Sequence, residues 1–367
     1  MMEQAVESIE MKTEEPSSHD FTSTMDQGAE NDEPRTDDSS PKEFTRHCEY
    51  FHMVIRPMLT PGHEGELCEW MKEMGLLRRT WRCTNEDCKG VNGYMTWNKA
   101  RVVDKYNWAC PNCSKKLSIR EGSFFIHIKC ELKQIFQAIL CWCEQTPVAQ
   151  ASATLGIKDH VVKRIYDRCS EVASKYVEDH NHAWLLGGDN AVVVIDIFPD
   201  GYMTSNPAVI DCAGKKNTKK VLCIADTSQM PARIWARILE QEHQGAVEEA
   251  LIYVTQQIRP GSTLVANERA HACPYSAICQ LKGYPSIISV ETLMELDLPG
   301  TRRVQENLET IWQALVAVCE EVRDLPKKAG AILLNEFMWR QVFGSSSSTA
   351  LESILHHIAD QYLEDDN

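Results

Sequence analysis

The chain has no overall cationic surplus: its 367 residues carry 38 Lys and Arg against 53 Asp and Glu, so 38 − 53 gives −15. Read globally, that argues against a nucleic-acid partner, because such binding rests on cations neutralising phosphate. Long hydrophobic runs are missing too. The longest notable apolar stretch, residues 135–143 with Gln137 inside it, is far short of the roughly 20 residues a membrane helix needs. No membrane partner is therefore expected. Residues 1–10 are acidic and lack an apolar core run, so no secretory leader is expected there. Cysteine is abundant, but fifteen is an odd number in a long chain. That disfavours a disulfide framework and suits a protein of a reducing compartment, with most thiols acting as small buried apolar groups.

What is present is uneven. Residues 1–45 hold 13 acidic and 3 basic side chains, 46–77 hold 5 and 3, 78–176 hold 9 and 17, and 177–367 hold 26 and 15. A basic segment of net +8 thus sits inside an acidic protein. Residues 1–45 are rich in Glu, Asp, Ser, Thr and Pro and have almost no large aliphatics. Such a composition cannot bury enough surface to offset chain entropy, so a disordered acidic tail is expected. A short amphipathic helix is expected over 66–77, inside a helical lead-in at 46–80.

Four cysteines follow as two pairs, Cys83 and Cys88, then Cys110 and Cys113. Zinc takes four thiolates tetrahedrally, and two tight-turn pairs joined by strands supply that geometry. A structural zinc ribbon is expected over 81–120. A helix-turn-helix is expected over 121–182: one helix over 131–144, a second over 148–155 capped by Thr146 with Pro147 at its first position, then Gly156 as the turn residue. The third helix has Val162 and Ile165 at core positions and Lys158, His160, Lys163, Arg164 and Arg168 on its remaining surface. That is the pattern of a helix laid in a major groove, and also of an ordinary three-helix unit with a solvated basic face.

From residue 183 the pattern alternates: strands over 191–197, 220–225, 263–266 and 286–290, with helices over 247–258, 272–281 and 304–322. This order implies a mixed sheet flanked by helices, an α+β chain overall. Asp196 ends the first apolar strand, where charge is costly without a partner or a role. Lys215, Lys216, Lys219 and Lys220 suit either a phosphate-contacting or nuclear-import patch or a solvated turn. A C-terminal helix with an acidic end is expected over 344–367.

The ordered set of ribbon, Leu117-Ser118-Ile119-Arg120-Glu121-Gly122-Ser123-Phe124-Phe125, helix-turn-helix, Val193-Val194-Ile195-Asp196, Arg259-Pro260-Gly261-Ser262-Thr263, Leu308-Glu309-Thr310-Ile311-Trp312 and Asn335-Glu336-Phe337-Met338-Trp339-Arg340 resembles the Merlin-type transposases and their bacterial insertion-sequence relatives. The resemblance implies an RNase H-like domain over 183–343 with an Asp, Asp, Glu triad holding two Mg2+ ions for DNA strand transfer. The triad maps onto Asp196, Asn267 and Glu309, so its second acid is an amide. Asn offers one neutral carbonyl oxygen, which weakens the hold on divalent cations. Glu268 is next door, but successive strand residues face opposite ways. The expectation is a domesticated, transposase-derived DNA-binding protein of the nucleus lacking full transposition activity. Its partners would be double-stranded DNA, a second copy, and proteins met through the acidic tail. The alternatives are an active metal-dependent recombinase and a protein-interaction module that has lost DNA binding.

Overall fold

The basic segment folds around its two Cys pairs. In the computed structural model, which describes residues 50–89, 93–199, 219–228, 230–268, 270–295 and 299–363 and, within these, no side chains at 294, 299–311 and 363, three short strands follow the first pair. They are β1 (Thr96–Lys99), β2 (Tyr106–Ala109) and β3 (Lys116–Ser118), antiparallel in the order β1-β2-β3, with Trp97 opposite Trp108. The expected tail at 1–45, Lys215 and Lys216 lie outside the described residues. Helical turns over Phe51–Ile55 and Arg56–Met58 and helix α1 (Glu64–Glu73) precede this sheet.

Three helices then pack together. Helix α2 (Leu132–Cys143) opens on a capping box between Glu131 and Gln134, which satisfies two amides that the first turn leaves open. Helix α3 (Val148–Leu155) ends on Gly156 at φ 64°, a left-handed conformation that suits glycine. The expected Thr146 cap is corrected. Pro147, with ψ 143°, is the last non-helical residue and itself holds the N-cap position, while the Thr146 N–H bonds Cys141 O at 2.9 Å, closing the preceding helix. In α4 (Asp159–Asp179), Val162 and Ile165 are fully buried, as their spacing predicts.

The second half is a five-stranded mixed sheet. It contains β4 (Val192–Phe198), β5 (Val221–Asp226), β6 (Arg233–Ile238), β7 (Thr263–Ala266) and β8 (Ser286–Ser289), ordered β6-β5-β4-β7-β8. Strands β4, β5 and β6 are antiparallel neighbours, whereas β7 and β8 run parallel to β4. Helix α5 (His243–Gln257) crosses from β6 to β7, and α6 (Pro299–Asp324), α7 (Lys327–Phe343) and α8 (Ser347–Leu363) complete the fold. The helix expected over 272–281 is a single turn, Tyr275–Ile278: Pro274 holds an extended N-cap before it, and tight three-residue turns follow it.

Period-two alternation sorts the sheet residues onto two faces. Val193, Ile195 and Ile197 pack with α5, Trp339 and the three-helix unit, while Val194 and Phe198 pack with Trp312, Leu315, Cys319 and Val322 of α6. Each such large side chain contributes about 1.5–3 kcal/mol when fully buried. Helix α7 closes tightly on this second layer at Gly330, where a Cβ would stand 3.0 Å from Val322 Cγ1 and 3.2 Å from Ile238 Cδ1. Among the described residues no helix is long and apolar enough to cross a membrane.

Candidate metal centre and nucleic-acid interface

Cys83 and Cys88 flank the turn before β1, and Cys110 and Cys113 flank the turn after β2. The hairpin brings the pairs together. Cys83 Sγ lies 3.6 Å from Cys113 Sγ, Cys88 Sγ lies 3.7 Å from Cys110 Sγ, and all four sulfurs fall within 4.8 Å of one another. Four thiolates about 2.3 Å from one tetrahedral ion would stand about 3.8 Å apart, so the cluster fits a metal such as zinc. The local field favours thiolate at two of the four, whereas at Cys83 the Asn85 backbone is outweighed by burial and the Cys110 and Cys113 side chains, and the thiol is raised. Cys113 is held down at about 6, first by the Asn85 side chain and then by the backbone at Lys115, and Cys110 is lowered chiefly by the Cys113 backbone. Thiols elsewhere behave oppositely: burial pushes Cys68, Cys141 and Cys273 up to about 12.

Between this unit and the three-helix unit lies an open groove of about 1610 Å³. Its walls carry Arg101, Lys105, Lys116, Lys129, Lys158 and His160, all exposed. The two acids that line it are engaged. Half-buried Asp104 pairs with buried Arg120, whose guanidinium also donates to Ile128 O and Cys130 O. Glu131 caps α2. The groove is therefore a cationic surface, the kind that meets phosphate.

The five basic positions named from sequence divide. Lys158 and His160 line the groove. Lys163 pairs with Asp167 at 2.8 Å on the exposed side of α4. Arg164 donates to His127 O at 3.1 Å, and half-buried Arg168 donates to Phe124 O and Ile126 O. These two arginines bolt α4 to the 124–128 segment. Sequence counting found the basic segment but missed Arg101, Lys105, Lys116 and Lys129; their signal was the charge density of the ribbon itself.

The sheet half holds a second polar cluster. Ile195 pairs with Ala266 in the β4–β7 register, so Asp196 and Asn267 stand side by side at the next step. Both are buried, at 2% and 0% exposure. Asn267 Nδ2 donates to Asp196 Oδ1 at 3.2 Å, and the Ile197 N–H donates to the same oxygen at 2.7 Å. Both share strand parity with Val194 and Val265, which pack in the α6 layer. Glu268 is exposed, as alternation requires. Glu309 lies in α6, outside the described side chains. Among the described residues the four cysteines are the one group of three or more ligand types close enough to hold a metal.

No protein-family profile matches this chain, and no curated protein matches it.

Two further sequence features have structural positions. Lys219 Nζ donates to Val322 O and Arg323 O at 3.0 and 2.9 Å and to Leu325 O, so it caps the C-terminal end of α6. The stretch Asn335 to Arg340 lies on α7 against α2 and α4. Asn335 donates to Ser174 Oγ and Glu178 Oε1, Glu336 accepts from Ser170 Oγ, and Arg340 pairs with Glu336, donates to Trp142 O and covers the Trp142 ring. That stretch joins the sheet half to the three-helix unit.

Proposed function

We propose that this protein is a DNA-binding protein of transposase origin whose strand-transfer chemistry has been lost. The observation that carries the reading is the basic groove, because Asp104 is paired with Arg120 and Glu131 caps a helix while Arg101, Lys105, Lys116, Lys129 and Lys158 are exposed along it. Zinc, held by Cys83, Cys88, Cys110 and Cys113, fixes the ribbon wall of that groove, and Gly156 with α3 and α4 supplies a helix-turn-helix wall. The ribbon and helices would thus hold duplex DNA through phosphate, with Lys158 and His160 as the contacts from the helix-turn-helix wall.

The mixed sheet with its first strand at the centre supports an RNase H-like reading of the second half. Loss of chemistry is supported by the Asp196–Asn267 contact. Two-metal catalysis needs carboxylates to neutralise the ions, and here the amide N–H occupies the carboxylate oxygen. Replacing an anion by a donor removes both a ligand and a charge.

The test uses the full chain with an end-labelled 30-base-pair duplex of mixed sequence in Mg2+ or Mn2+. Fluorescence anisotropy should show binding, and a denaturing gel should show intact strands. Cleavage by the wild type that Asp196→Ala abolishes would instead establish the active recombinase, with Glu309 as the remaining acid.

A further inference from the structure

The loop joining β1 to β2 breaks the local rules for a hairpin tip. Such turns favour Gly, Asn or Asp where φ is positive, yet Lys105 holds φ 62°. The tip residues Val102 and Val103 are 46% and 60% exposed, large apolar groups facing water at the mouth of the basic groove. Arg101 and Lys105 flank them, both exposed. The acid of this loop, Asp104, turns inward onto Arg120, whose side chain is 6% exposed. Arg120 is fixed in turn on Ile128 O and Cys130 O.

The tip is also closed on itself. Ala100 N–H donates to Lys105 O at 2.8 Å and Lys105 N–H to Val102 O at 3.1 Å. Strand β2 runs directly into Cys110, so the hairpin is tied to the thiol cluster. An apolar pair between two cations, on a rigid arm anchored by a buried ion pair, is suited to one kind of surface. Minor-groove proteins insert apolar side chains between base steps while flanking cations hold the phosphates, and the duplex kinks. Departures from local sequence preference concentrate at functional positions.

We propose that the β1–β2 hairpin is a second DNA-contacting element, a wedge that places Val102 and Val103 in the minor groove beside the duplex face met by α4. This rests on the DNA-binding reading above. Arg101 and Lys105 straddle the groove on phosphate, and the Asp104–Arg120 pair fixes the angle of the arm.

The experiment uses the full chain and a 30-base-pair mixed-sequence duplex carrying a fluorophore pair at its ends. Binding of the wild type should raise energy transfer between the ends, because a kinked duplex is shorter. The double variant Val102→Ser, Val103→Ser alters exposed side chains and should keep the fold, as checked by circular dichroism. It should abolish the rise in transfer and weaken binding about tenfold, with the salt dependence unchanged, because neither valine neutralises phosphate. Lys158→Ala should do the reverse, flattening the salt dependence and keeping the rise. A double variant that binds and bends DNA like the wild type overturns the wedge and leaves the DNA-binding reading standing, as does one whose salt dependence falls with its affinity. Absence of any salt-dependent binding by the wild type overturns both.

Discussion

The thiol cluster and the Asp196–Asn267 pair are each built from buried polar side chains brought together by a sheet, and they differ in what a cation would find there. Around Cys83, Cys88, Cys110 and Cys113 the spacing suits a tetrahedral ion and nearby donors lower two of the thiols. Around Asp196 the carboxylate accepts from the Ile197 N–H at 2.7 Å and from the side-chain amide N–H of Asn267 at 3.2 Å. A cation repels that N–H, whereas the thiols are incompletely stabilised without a cation. A related contrast separates particular side chains of the two halves: Arg101, Lys105, Lys116, Lys129 and Lys158 face an open groove, while Lys219, Glu336 and Arg340 are closed onto neighbouring helices.

The sharpest way to break this comparison is to test the thiol cluster for the metal its geometry fits. A structural zinc contributes about 10–16 kcal/mol of folding free energy in small zinc domains. Cys110→Ser or Cys113→Ser, or a strong chelator, should therefore unfold the 81–118 region while the five-stranded sheet persists. Hydrogen exchange should show protection lost over 93–118, and mass spectrometry should find about one zinc per native chain. A folded ribbon without zinc would remove the distinction between the two clusters.

Next in size is the buried pair that holds the hairpin. Arg120→Met leaves Asp104 without its partner, and breaking a buried pair from one side costs about 3–5 kcal/mol. Urea unfolding should report a loss in that range. The converse change asks whether the sheet pocket can become a metal site. Asn267→Asp sets two buried carboxylates side by side and, by like-charge repulsion, should destabilise the fold by about 2–3 kcal/mol in buffer without added Mg2+ or Mn2+. Thermal melts should recover on adding Mg2+ or Mn2+. A variant indifferent to the cation would mean that the pocket lacks a metal geometry for reasons beyond position 267.

The smallest effect concerns His357 on α8, 3% exposed and stacked on Tyr176 at 3.7 Å, with neither ring nitrogen hydrogen-bonded among the described residues. Burial lowers its pKa to about 4, with His356 and His180 adding to the shift. The unfolded chain takes up this proton near pH 6.5 and the folded chain only near 4. Its contribution is thus complete above about 6.5 and is lost as pH falls toward 4. Melting temperatures of His357→Phe should fall less steeply than those of the wild type across that window.

Sequence alone exposed features governed by short-range rules. The Cys pairs, the helix 148–155, Gly156, β7 and the long helix through Trp312 all follow from spacing, caps and periodicity. Strand β6 and helix α7 did not stand out. Arg233–Ile238 is short, with Ala236 breaking its bulk, and α7 buries Gly330, Leu334, Met338 and Trp339 along a narrow stripe while its other faces meet α4 and β6. Their positions depend on distant partners. The same limit applied to the site. Asp196 stands out as a charge ending an apolar strand, Asn267 only through the resemblance, and the two meet through the β4–β7 register, whereas the groove cations come from both its walls and share no local pattern. Arg164 and Arg168 looked like free surface charge because nothing local shows the carbonyls of residues 124–127 that they hold.

The measurement that bears most directly on the account is the salt dependence of duplex binding by the full chain. Each phosphate neutralised adds about −0.9 to the slope of log affinity against log salt. The triple variant Lys116→Ala, Lys129→Ala, Lys158→Ala should flatten that slope by about 2.7 if all three groove lysines meet phosphate. A wild type whose binding ignores salt, or a triple variant with the wild-type slope, would contradict the assignment of the groove to DNA.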